Sequence, residues 1–90
     1  RLSDGEKLLA NNIYQTLITA KNLFNKGYSI DAITKEIYEI YNRSPIKLEY
    51  FSIRDLKTLQ HTYDDDLIAL IAVYIGKIRL IDNIIIRSHP

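Results

Sequence analysis

The sequence predicts an α+β fold in which two antiparallel helices pack on a three-stranded antiparallel sheet. The first half of the chain has apolar residues at helical spacing, and the second half has alternating or continuously apolar runs typical of strands. An order of helices followed by strands favours helices laid on one sheet face. Ninety residues is the size of one domain, so residues 1–90 are treated as a single unit.

The first helix is predicted to begin after Ser3, because Ser3 and Glu6 have the spacing of a capping box. It should end near Asn25, with Gly27 as a left-handed terminator. Its buried face consists of apolar residues at helical steps, namely Leu9, Ile13, Leu17, Ala20 and Phe24.

The second helix is predicted to be capped by Ser29 and to stop near Asn42, before Pro45. Asp31 lies in its first turn, where a carboxylate suits the positive end of the helix dipole. The predicted buried stripe is Ile30, Ile33, Ile37, Ile40 and Tyr41. The short connection between the two helices favours antiparallel packing.

The spacing changes to a period of two from Ile46 onward. Ile46, Leu48, Tyr50 and Ser52 alternate with Lys47, Glu49, Phe51 and Ile53, as expected of a strand with one buried face. Asp55 is then predicted to cap one helical turn ending at Leu59, followed by a polar loop over 61–66. Residues 67–75 and 78–86 are predicted to form a hairpin whose two-residue turn is Gly76-Lys77.

Composition excludes several classes of protein. The formal net charge of +1, with both signs mixed along the chain, is not the basic footprint of a nucleic-acid binder. The absence of cysteine excludes disulfides and thiolate chemistry and is compatible with the cytoplasm. The apolar run 67–75 is about half the length of a membrane-spanning helix, so no membrane contact is predicted.

Patterns that carry catalysis or hold a cofactor are missing from the sequence. It has no glycine-rich phosphate loop, no paired histidine or cysteine ligands and no nucleophile elbow, so catalytic, cofactor-binding and metal residues are all predicted as none. His61 and His89 are predicted to be exposed rather than metal ligands. Asp64, Asp65 and Asp66 lack the oxygen spacing of a calcium loop and favour a solvated turn.

Three polar residues interrupt the last apolar strand and need partners: Arg79, Asp82 and Asn83. In a structural interpretation, Arg79 pairs with a carboxylate such as Asp82, or the Asp82 and Asn83 side chains bond to a loop backbone. In a functional interpretation, these residues and Lys77 of the turn face a second domain or a ligand. The residues alone favour the structural interpretation.

The order of motifs resembles the C-terminal domain of the pantothenate synthetase (pantoate–beta-alanine ligase) family. The most specific match is Gly76 followed by Arg79-Leu80-Ile81-Asp82-Asn83, which is similar to the family's ending. Glu49 to Asp55 with Thr58-Leu59 resembles the family's Asp-Tyr-Val strand and Thr-Leu element, although Glu49 replaces the usual aspartate. Leu2-Ser3 with Glu6-Lys7 resembles the start of the family's first C-terminal helix.

The resemblance implies that residues 1–90 are a lid domain and that an N-terminal nucleotide-binding domain is absent. The parent enzyme would use ATP and magnesium to activate pantoate as an acyl adenylate, and beta-alanine would then give pantothenate, AMP and diphosphate. The resemblance further implies a homodimeric, cytoplasmic parent and a fragment that is inactive by itself. Lys77, Arg79, Asp82 and Asn83 are the candidates for contact with the missing domain.

A second hypothesis is a stand-alone α+β protein-interaction module that binds a partner through the sheet face or edge left uncovered by the helices. The length of the encoding reading frame separates the two hypotheses. A nucleotide-binding domain encoded immediately upstream of Arg1 would end the second one.

Overall fold

The computed structural model describes residues 3–60 and 66–87. The elements in chain order are α1 (Asp4–Asn25), α2 (Ile30–Asn42), β1 (Lys47–Asp55), β2 (Leu67–Ile75) and β3 (Ile78–Arg87). The three strands form one antiparallel sheet in the order β1-β2-β3. The predicted α+β fold is therefore confirmed. The predictions for His61, Asp64, Asp65 and His89 lie outside the described residues.

The ends of α1 form as the sequence predicts. Ser3 Oγ accepts from Glu6 N–H at 3.2 Å, and Glu6 Oε1 accepts from Ser3 N–H at 3.0 Å. At the other end Gly27 has a φ of 93°, and Tyr28 N–H donates to the Leu23 carbonyl at 3.1 Å, which closes the helix in a Schellman arrangement.

The two helices are antiparallel, as shown by the contact of Tyr41 near the end of α2 with the middle of α1. The Tyr41 hydroxyl donates to Asn12 Oδ1 and lies 2.9 Å from Thr16 Oγ1. Burial raises the pKa of Tyr41, so the phenol stays protonated in this contact. The predicted buried stripe of α2 is wrong at one position, because Ile40 is 37% exposed on the outer side of the helix.

Both helices lie on one face of the sheet, with α2 against β1 and α1 against β2 and β3. The core between the layers includes alternate residues of β2 facing the helices: Leu67, Ala69, Ile71 and Val73. From α1 it receives Leu9, Ile13, Leu17 and Ala20, and from α2 Ile33, Ile37 and Tyr41. The opposite face of the sheet has no layer over it among the described residues, and we call it the open face.

A β-bulge in β1 breaks the predicted alternation. Leu48 pairs with Val73 and Tyr50 pairs with Ala72, so Glu49 is an extra residue. Beyond the bulge, Phe51 and Ile53 face the core, whereas Tyr50 belongs to the open face. The core-facing residues of β1 therefore belong to one alternating set before Glu49 and to the other set after it.

The single turn predicted after Asp55 forms, and it does not continue into a helix. Leu59 N–H donates to the Asp55 carbonyl at 2.9 Å, which closes a single turn, and Leu59 takes a left-handed φ of 60°. The predicted capping role of Asp55 is confirmed, because its Oδ1 accepts from Lys57 N–H and Thr58 N–H, each at 2.9 Å.

Candidate functional site: the open face of the sheet

The open face consists of four rows of side chains that run across the strands. The strand register gives the rows Lys47-Tyr74-Arg79, Tyr50-Ala72-Ile81, Ser52-Leu70-Asn83 and Arg54-Ile68-Ile85. Ile81 and Ile85 are 51% and 45% exposed, an unusual state for isoleucine on a sheet. Ile68 and Leu70 are partly exposed beside them. The middle of the open face is thus mainly apolar, with Ser52 and Asn83 as its polar members.

An ion pair bounds the open face at the hairpin end. Arg79 Nε and Nη2 donate to Glu49 Oε1 and Oε2 at 2.6 and 2.9 Å. The bulge allows this contact, because the extra residue Glu49 reaches across β2 to β3 on the side of Tyr74. The bonds lower the pKa of Glu49 and raise that of Arg79, so both groups stay charged.

A second guanidinium bounds the open face at the loop end. Arg54 Nε donates to Ser52 Oγ at 2.9 Å, and Arg54 Nη1 donates to the Leu59 carbonyl at 3.2 Å. Both acceptors are neutral, and no carboxylate within residues 3–60 and 66–87 forms an ion pair with Arg54. The half-exposed Leu59 side chain stands at this end on its left-handed backbone.

A cavity of about 220 Å³ lies where the hairpin end meets α2. It is lined by Tyr38, Tyr41, Asn42, Lys47, Leu48 and Tyr74. Two of its hydroxyls are engaged elsewhere, since Tyr41 bonds to α1 and Tyr38 accepts from Phe51 N–H at 3.4 Å. Lys47 and Tyr74 belong to both the cavity and the open face, so the cavity continues that surface around β1.

The four predicted contact residues do not share one face. Arg79 and Asn83 lie on the open face, Lys77 lies in the hairpin turn, and Asp82 pairs with Ile71 on the helix side. Arg79 does pair with a carboxylate, but the partner is Glu49 rather than Asp82. The Asp82 carboxylate accepts from the N–H of Asn83 at 2.8 Å, within its own strand rather than from a loop.

Four residues of the open face were not among the predicted site residues: Glu49, Arg54, Ile81 and Ile85. The sequence does contain the information that places Ile81 and Ile85 on one face. A two-residue turn at Gly76-Lys77 fixes the pairing of Ile75 with Ile78, and this pairing determines the face of the residues that follow. No comparable signal marks Glu49, whose position depends on the bulge.

The described residues contain no cluster of metal-ligating side chains. Within 3–60 and 66–87, no three His, Cys, Asp or Glu side chains come together as a metal site. Neither α1 nor α2 has the length and apolarity to span a membrane. The open face supports contact with a complementary surface.

Comparison with known proteins gives a consistent result. A sequence model of the family described as pantoate-beta-alanine ligase matches residues 1–85. The pantothenate synthetase of Thermosipho melanesiensis is 36% identical over 88 residues, covering 94% of this chain and 31% of that protein. The pantothenate synthetase of Flavobacterium psychrophilum is 38% identical over 92 residues, with 97% and 32% covered.

The fold also matches a solved structure. The crystal structure of pantothenate synthetase from Thermus thermophilus superposes with a TM-score of 0.76 at 20% identity, covering 94% of this chain and 32% of that chain. This chain therefore spans about a third of the length of the relatives that it matches.

Proposed function

Because the chain belongs to the pantoate–beta-alanine ligase family, we propose that it forms the lid domain of an enzyme that condenses pantoate with beta-alanine. In the proposed reaction, the pantoate carboxylate attacks the α-phosphorus of ATP and displaces diphosphate. The beta-alanine amine then attacks the acyl carbon of the adenylate and displaces AMP, giving pantothenate. The names of the matched relatives support this assignment.

The proposal gives the chain no chemical step of its own. ATP and magnesium would be held by the remaining two thirds of the enzyme, because the described residues present neither a phosphate loop nor a carboxylate cluster. The isolated chain would then be inactive. On the same family grounds we propose a cytoplasmic, homodimeric parent.

The observation that carries the lid role is the apolar open face. Half-exposed Ile81 and Ile85 lie on a sheet whose other face packs against both helices. Burying such a surface against the rest of the enzyme would exclude water from the acyl adenylate, which water would otherwise hydrolyse. Arg79 and Asn83 on the face and Lys77 at the turn would make polar contacts around the apolar centre.

A chimera tests this role. The corresponding segment of the Thermosipho melanesiensis enzyme is replaced by this chain, and Ile81→Lys with Ile85→Lys is introduced on the open face. Poor closure should lower pantothenate formation about tenfold or more, because small displacements of a closing element have large kinetic effects. It should also raise the ratio of AMP released to pantothenate formed, because water competes with beta-alanine.

The matched control is Tyr14→Lys, which replaces an apolar side chain 60% exposed on α1, away from the sheet. The control should leave both the rate and the AMP ratio unchanged. The lid role is wrong if the open-face variant matches the control in both measurements.

The stand-alone interaction module remains the second candidate. The family match over residues 1–85 favours the ligase. Titration calorimetry of ATP into the chain alone should show no binding on either hypothesis, so the encoding reading frame is the observation that separates them.

A further inference from the structure

Arg54 is partly buried at the loop end of the open face, and two neutral acceptors hold its guanidinium in place. Nε donates to Ser52 Oγ at 2.9 Å, and Nη1 donates to the Leu59 carbonyl at 3.2 Å. The N–H groups of Nη2 have no acceptor within residues 3–60 and 66–87. The positive charge of Arg54 is therefore positioned, but not neutralised, by this part of the chain.

The loop after β1 brings the Leu59 carbonyl to Arg54. Asp55 Oδ1 accepts two backbone N–H groups of the turn, and Leu59 N–H donates to the Asp55 carbonyl at 2.9 Å. Leu59 takes a φ of 60°, a conformation that is costly for a residue with a Cβ. Such conformations persist where the surrounding contacts hold them, and they are frequent at functional sites. The strained backbone at Leu59 thus accompanies a guanidinium in a fixed position.

Arg54 shares a row of the open face with two apolar residues, Ile68 and Ile85. A surface that covers these isoleucines also removes water from the guanidinium beside them. Taking a charge out of water is costly unless an opposite charge and hydrogen bonds replace the water. Arg79 at the hairpin end already has such a partner in Glu49. The covering surface therefore needs a negative group at Arg54 and none at Arg79.

The charges around Arg54 fit a single carboxylate better than a nucleotide polyphosphate. Lys47, the other open-face cation without an ion pair in the described part of the chain, lies about 20 Å away along the strands, at about 3.4 Å per residue. Lys57 in the loop lies near the Asp55 carboxylate and helps to lower the pKa of Asp55. A polyphosphate is held by backbone N–H clusters and further cations, whereas one planar guanidinium matches one carboxylate.

We propose that Arg54 receives an aspartate or glutamate side chain of the nucleotide-binding domain when the open face closes on that domain. This carboxylate lies in an apolar surface that packs on Ile81 and Ile85. The proposal rests on the proposed lid function and adds to it the chemistry of the partner surface. A partner domain is expected because this chain spans about a third of the length of its relatives. Arg54 is then a positioning residue for closure, with no part in the chemical step.

Three substitutions in the full-length parent enzyme test the charge. Arg54→Gln removes it, Arg54→Lys keeps it without the planar fork, and Arg54→Glu reverses it. Pantothenate formation should fall about tenfold with Arg54→Gln and further with Arg54→Glu, because a desolvated carboxylate loses its partner. Arg54→Lys should lie between the unchanged enzyme and Arg54→Gln. The ratio of AMP released to pantothenate formed should rise in the same order, because poor closure admits water.

Arg43→Gln is the matched control. Arg43 is exposed at the end of α2 and forms no ion pair with another residue that the structure describes. The control removes the same charge away from the open face, so it should leave both the rate and the AMP ratio unchanged.

A charge-reversal series identifies the partner and separates the contact from a purely structural role of Arg54. In the Arg54→Glu enzyme, each exposed aspartate and glutamate of the nucleotide-binding domain is changed to arginine in turn. One of these changes should raise the activity of Arg54→Glu about tenfold, and the same change alone should lower the activity of the unchanged enzyme. Damage to the loop after β1 cannot be repaired by a substitution in another domain.

The outcomes separate this proposal from the lid function on which it rests. If Arg54→Gln matches Arg43→Gln while Ile81→Lys with Ile85→Lys lowers turnover in the same enzyme, the carboxylate contact is wrong and the lid function stands. If neither change has an effect, both are wrong. If the Arg54 variants lower turnover but no charge reversal restores it, the contact is also wrong. Arg54 then braces its own loop or, where only the KM for ATP rises, binds the nucleotide.

Discussion

At the scale of single residues, Asp55 organises the loop that follows β1. Its side chain is 6% exposed, and its Oδ1 accepts from Thr58 N–H, Lys57 N–H and the Thr58 hydroxyl. The backbone bond from Thr58 is the largest cause of a lowered pKa for Asp55, and the Lys57 N–H and Thr58 hydroxyl add to it. The ionised carboxylate therefore stabilises the loop that holds Leu59 beside Arg54.

This pKa predicts an acid dependence of folding. A carboxyl whose pKa is lower in the folded chain stabilises that chain above its unfolded pKa of about 3.9, and the stabilisation disappears as pH falls through the folded pKa. Asp55→Asn keeps an acceptor oxygen but cannot ionise. It should unfold at lower urea than the unchanged chain at pH 7, and the difference should shrink below about pH 4.

Urea unfolding at several pH values measures the effect, with Glu36→Gln as the control for loss of one surface carboxylate. The unchanged chain and Asp55→Asn should both weaken in acid, because Glu6 and Glu49 also have lowered pKa values. A difference between the Asp55 variant and the unchanged chain that stays constant from about pH 7 to about pH 3 would contradict the assignment.

The capping role of Asp55 could be predicted from its residue type, but the left-handed backbone conformation of Leu59 could not. Leucine rarely takes a positive φ, which costs roughly 1–2 kcal/mol for a residue with a Cβ. Leu59 takes it because its N–H bonds to the Asp55 carbonyl and its own carbonyl is held by Arg54. Both contacts are local, but residue type alone does not indicate which residue at the end of the turn takes the left-handed conformation.

At the scale of elements, the helices and the hairpin follow their sequence signals closely because caps and turns are local. Ser3, Gly27 and Gly76 act through bonds or dihedral angles within a few residues. The β1 bulge is different, since it depends on how two distant strands match. Glu49 sits between Leu48 and Tyr50 without changing the alternating pattern of residue types, and only the pairing with β2 shows the change of face.

The contact of α1 with β3 depends on the absence of a side chain at Gly5. A Cβ at that position would overlap Cδ1 of Ile78, the first residue after the hairpin turn. Gly5 thus lets the start of α1 approach the hairpin closely.

A double-mutant cycle tests this contact. Gly5→Ala alone should stabilise the chain by less than the roughly 1 kcal/mol expected from helix propensity, because Ile78 Cδ1 must move aside. In an Ile78→Val background, which lacks Cδ1, the same change should stabilise the chain by up to about 1 kcal/mol. Urea unfolding measures the four proteins, and equal effects of Gly5→Ala in both backgrounds would show that the two residues do not interact.

At the scale of the whole molecule, the fold class could be predicted because a change from helical to strand periodicity leaves few ways to cover the apolar faces. The candidate site could be predicted only in part. Isoleucine is typical of a buried core. The sequence alone therefore does not show whether Ile81 and Ile85 lie on the face packed by the chain's own helices or on the face left for another surface. In the proposed lid role, Ile81 and Ile85 pack against a surface outside the residues described.

A lid that closes as a rigid body requires its helices and sheet to be one cooperative unit. The core satisfies this requirement, because buried residues from all five elements form one cluster. We therefore expect native-state hydrogen exchange to give one opening free energy, of order 5 kcal/mol, for the slowest amides of α1, α2 and β2. Ile13, Ile37 and Ile71 are suitable probes because each is fully buried. If the helix amides opened more than about 1 kcal/mol below the strand amides, the domain would flex internally, and closure by rigid rotation would have to be abandoned.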